Sequence, residues 1–161
     1  MKRILSGIIC VLMVLTVASC SAKPAALPHV DGELTDIFKK IYENAGVEAP
    51  GTFETAVTDA NKVNALGSTE VEFIEGLTSD AMIMTIPHSM VLIRVDEASD
   101  IEKTKQIIRD NVDPRKWICV GVEADQVIVD SIGDLIFLVM SADAKAYHES
   151  FLKLADAAQA Q

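Results

Sequence analysis

The chain has 161 residues, of which 24 are acidic and 14 basic, for a formal net charge of −10. That excess repels phosphate and anionic headgroups, so nucleic-acid binding is excluded as a reading and any membrane association needs something other than charge. Half of the residues are hydrophobic, enough for one domain with a buried core.

The chain opens with a positive pair, Lys2 and Arg3, followed by an apolar run from Ile4 to Val17. The run is shorter than the roughly 20 residues of a spanning helix, and the small residues Ala18 and Ser19 close it. Val17-Ala18-Ser19-Cys20 reads as a bacterial lipobox, with residues 1–19 a lipoprotein signal peptide and Cys20 the lipidation site. The thiol of Cys20 would take a diacylglyceryl group, whose palmitate-type chains contribute about 0.8 kcal/mol per buried CH₂; two such chains hold a protein durably on a membrane. The expected location is the extracytoplasmic face of the cell membrane, with the lipid on Cys20 as the membrane contact. Loss of Lys2 and Arg3 with the signal takes the charge to −12 over 142 residues. Cys10 leaves too, so Cys119 is the one thiol left besides Cys20, and no internal disulfide is expected.

Residues 20–31 read as a tether, of which the stretch from Ser21 to Val30 spans at most about 35 Å, and residues 32–161 as a single α+β domain. Leu34, Ile37, Phe38, Ile41 and Ala45 recur at helical spacing, predicting a helix from Glu33 to Ala45 with Asp31 as N-cap and Gly46 as C-terminal stop. Val47 to Val57, with Pro50-Gly51, reads as a loop. Thr58 is expected to cap a short helix over Asp59 to Leu66, ended by Gly67.

Glu70 to Glu75 alternates and predicts a strand with Val71 and Phe73 inward; Gly76 to Asp80 reads as a break. Ser89 to Val95 is a strand. Ser99-Asp100-Ile101-Glu102 has the spacing of a capping box, opening a helix that buries Ile101, Ile108 and Val112. Trp117 to Val122 fits a strand or an irregular buried connection. Gln126 to Ile132 and Leu135 to Met140 are strands joined by Gly133-Asp134, a two-residue hairpin. Ser141 is expected to cap a last helix from Ala144 to about Ala157.

The order is therefore α-β-β-α-β-β-α: an antiparallel sheet of about four strands with helices packed on one face, and a weak ββα duplication. Three stretches resemble a family of small secreted clostridial-type lipoproteins known only as a domain of unknown function. They are Asp36-Ile37-Phe38 with Ile41, Ala65-Leu66-Gly67, and Gly133 through Val139. The resemblance runs from about Glu33 to Leu154. It implies lipoprotein topology and an α+β domain, and brings no catalytic residues.

Met82, Met84, His88 and Met90 are the candidates for a metal centre, because thioethers and imidazole suit Cu(I) and even spacing on a strand shares a face. Core packing by methionine explains the same run more simply. His29 sits in the tether. His148-Glu149 lacks the second histidine of a zinc helix, position 152 being Leu. Neither Asp130-Ser131 nor His88-Ser89 has the Gly-x-Ser-x-Gly context of a nucleophile elbow. Cys119 lies between Ile118 and Val120 and is expected to be buried and inert. No catalytic or cofactor motif is found. The leading expectation is a membrane-anchored, non-enzymatic binding module for a protein or small molecule; copper handling through Met82 to Met90 comes second and an enzyme third.

Overall fold

The computed structural model describes residues 27–159; the signal region and Cys20 lie outside the described residues. An α+β fold is present, built on one five-stranded antiparallel sheet in the order β1-β2-β3-β5-β4. The strands are β1 (Thr52–Ala56), β2 (Glu75–Ala81), β3 (His88–Arg94), β4 (Val127–Ile132) and β5 (Leu135–Ser141). The helices are α1 (Leu34–Ala45), α2 (Lys62–Leu66), α3 (Ile101–Asn111) and α4 (Ala144–Gln159).

Every residue of β3 and of β5 is buried. Two faces of apolar side chains need two covers, so the helices are divided between the faces rather than gathered on one. Val91, Ile93, Ile136 and Leu138 pack with Leu66 of α2 and Ile108 of α3. The alternate residues, Met90, Leu92, Leu135, Phe137 and Val139, pack with Ile37, Phe38 and Ile41 of α1 and with Tyr147 and Phe151 of α4. The expected ββα duplication fails on the same ground. β2-β3 and β4-β5 are related by exchange of side and reversal of direction, yet α3 and α4 lie on opposite faces. No rotation superimposes two units so arranged.

The fifth strand is β1, in the stretch read as a loop. It pairs with β2, from Thr52 opposite Ala81 to Ala56 opposite Leu77. The strand expected at 70–75 begins instead at Glu75 and runs through the polar stretch Gly76 to Asp80 that looked like a break. Val71 is buried and Phe73 packs on the core as the alternation implied, although both lie in irregular chain. Trp117 to Val122 takes the irregular alternative, with Trp117 and Val122 buried. Cys119 corrects the expectation of burial: it is exposed, as is Ile118 beside it, and holds a φ of 62° in the turn between the buried Trp117 and Val122.

The caps also move. Asp100, not Ser99, caps α3, its Oδ1 accepting the Lys103 N–H at 3.0 Å. Glu102, assigned the other half of the box, pairs instead with Lys105 at 2.7 Å. At α1 the N-cap is Glu33 rather than Asp31, without a side-chain bond. At α2 it is Asn61 rather than Thr58, with Asn61 Oδ1 accepting the Thr58 N–H. Ser141 closes β5, and its Oγ accepts the Asp143 N–H at 3.3 Å just before α4.

Residues 28–32, the last part of the stretch read as tether and the first of the domain, dock against one end of the sheet. Arg94 Nη1 donates to Val30 O at 2.8 Å and to both Asp134 oxygens, Nη2 donates to Gly32 O at 2.9 Å, and Nε donates to Glu75 at 2.7 Å. Asp134 in turn accepts the Val30 N–H at 3.0 Å and lies 2.6 Å from His29 Nδ1. Burial alone would raise the Asp134 pKa, but these hydrogen bonds outweigh it and hold the carboxyl below its ordinary value. The hairpin at Gly133-Asp134 forms as expected, with Gly133 at φ 53° and the Asp134 N–H donating to Pro28 O. A Cβ on Gly133 would collide with that Pro28 carbonyl, so glycine is required there twice over.

Asp100→Ala should lower stability by about 1 kcal/mol, whereas Ser99→Ala should leave it nearly unchanged. Chemical denaturation of the two variants at equal slope distinguishes them. Asp134→Ala should be far more damaging, about 3 kcal/mol, because it leaves the buried Arg94 with a single, half-exposed carboxylate, Glu75, to balance its charge. A loss under about 1 kcal/mol in the same measurement would show that Arg94 finds water instead.

Candidate functional site

The sheet has two ends of different character. At one, Arg94 and Asp134 hold the incoming chain. At the other lies the β2–β3 connection, residues 82–87, with the starts of β1 and β3 and the end of β5. The connection is short and apolar, so it cannot fold back to bury its own side chains. Met82, Ile83 and Met84 are at least half exposed, as nearly is Phe53 on the adjoining edge strand. Such an apolar surface at a loop tip is the kind that partners cover.

This placement separates the four metal candidates. Met82 and Met84 stand in solvent, Met90 lies in the α1/α4 core, and His88 is buried at the first position of β3. The four do not share a face, because the strand begins only at His88 and the even-numbered alternation does not extend back through the connection. Both ring nitrogens of His88 are engaged, moreover. Nε2 is 2.9 Å from Tyr42 Oη and Nδ1 is 3.1 Å from Ser141 Oγ. Tyr42 Oη continues the chain to Ser79 Oγ at 2.8 Å. Tyr147 packs edge-on against both rings, and its buried hydroxyl has no partner among the described residues.

His88 and Ser141 line a cavity of about 310 Å³ whose other walls include Glu48, Pro50, Ile86 and Asp143. A hydroxyl on an imidazole at the wall of a cavity is the minimum for proton transfer. The base, however, is weak. Burial pushes the His88 pKa down from 6.5 to about 4, against an upward pull from Asp80 and Asp143. At neutral pH the ring holds one proton tightly and accepts a second poorly. The network therefore does positional work, tying α1, β2, β3 and β5 together at the root of the exposed connection.

On the other face, a smaller cavity of about 170 Å³ opens between Phe53, Ala81, Met84 and Trp117. The buried Lys116 forms part of its floor, donating to Ser89 Oγ at 2.9 Å and lying 3.4 Å from Asp80 Oδ1. The pairing Asp80 opposite Ser89 puts both groups on this face.

Ser79 and Tyr42 are not singled out by the sequence, and Ser141 only as a helix cap. Each joins His88 only through strand register or helix packing, and no local spacing signals that. Elsewhere, His148 Nε2 meets Asp130 Oδ2 at 2.7 Å, and Lys105 reaches Ser131 Oγ at 3.3 Å. These two contacts fasten α4 and α3 to β4 without placing Ser131 on the imidazole. Among the described residues no cluster of His, Cys, Asp and Glu has metal-holding geometry, and no helix is long and apolar enough to cross a membrane.

No protein-family model, curated protein or solved structure matches the chain.

His88 gives a pH signature. Its folded pKa is depressed, so the unfolded state binds the proton first as pH falls. Stability is full above about pH 6.5 and is lost down to about pH 4, by roughly 3 kcal/mol. His88→Gln should flatten that window while leaving the acid loss below it, where Asp134 and Asp130, both depressed, take up protons. Denaturation midpoints from pH 7 to 4 test this, and parallel curves for the two proteins would refute it.

Proposed function

We propose that this protein is a lipoprotein, held through Cys20 on the extracytoplasmic face of a cell membrane, and that it serves as a binding module for another protein. The observation that carries the reading is the opposition of the two sheet ends. The chain comes into the fold at Leu27 and Pro28, against Arg94 and Asp134. The exposed Met82, Ile83 and Met84 sit at the far end of strands seven residues long, about 24 Å away. A domain tethered by residues before Leu27 thus presents its apolar surface away from the bilayer, where a protein partner rather than lipid would cover it. The acidic surface supports the same orientation by keeping the body off anionic headgroups.

Cys20→Ala should move the protein out of the membrane fraction or leave the precursor unprocessed. Unmodified Cys20 in mass spectra of the native protein would remove the anchor from this reading. A photo-crosslinking residue at Ile83 should give discrete protein adducts in cells that the same residue at Lys39, exposed on α1, does not; equal or absent adducts would remove the binding role.

A further inference from the structure

The two edges of the sheet are treated differently. On β4, Arg109 Nη2 donates to Val129 O at 2.8 Å, and the Ser131 N–H is taken by Asp130 Oδ1 at 2.8 Å. Helix α3 thus guards that edge, as exposed strands require if they are not to recruit another chain. On β1 the Val57 N–H donates to Gly76 O and the Met82 N–H to Gly51 O. The antiparallel alternation then turns the backbone groups of Thr52, Glu54 and Ala56 outward. Among the described residues only Ala56 O finds a partner there, Asn61 Nδ2 at 3.0 Å. The strand contains neither lysine nor proline, the residues that commonly blunt an edge.

We propose that β1 is the docking strand of the binding module, taking up an extended segment of a partner protein by strand addition, and that this segment alternates basic and apolar residues. The proposal rests on the binding-module reading and specifies its mode. Backbone bonds to Thr52, Glu54 and Ala56 supply the pairing, and alternate side chains supply the selection. Glu54 lies on the α1 face, where it accepts from Thr35 Oγ1 at 2.8 Å; a Lys or Arg of the added strand meets it there. On the opposite face Phe53, Met84 and Trp117 border the 170 Å³ cavity, which receives an apolar side chain.

A second copy of this chain fits less well. Full antiparallel pairing of two β1 strands, centred on residue 54, sets Glu54 against Glu54 between two bodies each of strong negative charge.

The test uses the full-length protein and a seven-residue peptide alternating lysine and valine, followed by NMR. Binding should shift and protect the amides of Thr52, Glu54 and Ala56. The same peptide N-methylated at alternate residues should not bind, nor should a glutamate–valine version. Glu54→Pro removes an outward N–H while sparing the bonds to β2 and should weaken binding about tenfold or more; Glu54→Gln keeps the N–H and should lose only about threefold. Equal binding by the N-methylated peptide, protection elsewhere, or a β1-linked dimer of the chain would overturn the proposal, and the peptide comparison needs no variant to fold. If the Ile83 adduct in cells survives Glu54→Pro, strand addition falls while the binding module stands; if the adduct never forms in the parent, the module itself falls.

Discussion

Two central strands without a solvent face set the terms for the whole structure. β3 and β5 each bury all seven of their residues. A strand so placed needs apolar cover above and below, and it needs neighbours that satisfy its backbone on both sides. The first need is met by α1 with α4 on one face and α2 with α3 on the other. The second is met by pairing the two strands with each other and shielding them behind β2 and β4. The polar and exposed positions consequently fall mostly on the outer strands, and the exposed apolar surface lies where the sheet is least covered.

What could be read from the sequence follows that division. The apolar runs Ser89 to Val95 and Leu135 to Met140 announce the central strands, and the helical spacing of Ile37, Phe38 and Ile41 announces α1. A run apolar at every position carries no facing information, however, so nothing in it distinguishes one covered face from two. Of the outer strands β4 was legible as well, whereas β1 and β2 were hidden for a different reason. β2 carries Gly76, Thr78, Ser79 and Asp80, a composition that resembles a break. A Cβ on Gly76 would press on Val57 and Ile93, while Ser79 and Asp80 each meet a partner from another element, Tyr42 and Lys116. Tertiary contacts, rather than propensity, make that stretch a strand.

The site was legible in part. The run from Met82 to Met90 stood out by its composition, and it does mark the exposed end of the sheet. The partners of its one histidine, at a strand start, were not legible, because only register reveals them. His88 opposite Ser141 is a pairing of residues 53 apart in sequence. The open edge of β1 leaves no compositional trace at all; it follows from which carbonyls and amides the ladder uses.

The docking of residues 28–32 has a mechanical consequence. Any pull on the chain from before Leu27 is delivered first to the bonds at Pro28, Val30 and Gly32, which converge on Arg94 and Asp134. Those two residues belong to β3 and to the β4–β5 turn, so the load passes straight into the central strands and bypasses the first turn of α1. The connection at 82–87, about 24 Å away at the far end of the seven-residue strands, lies outside that load path.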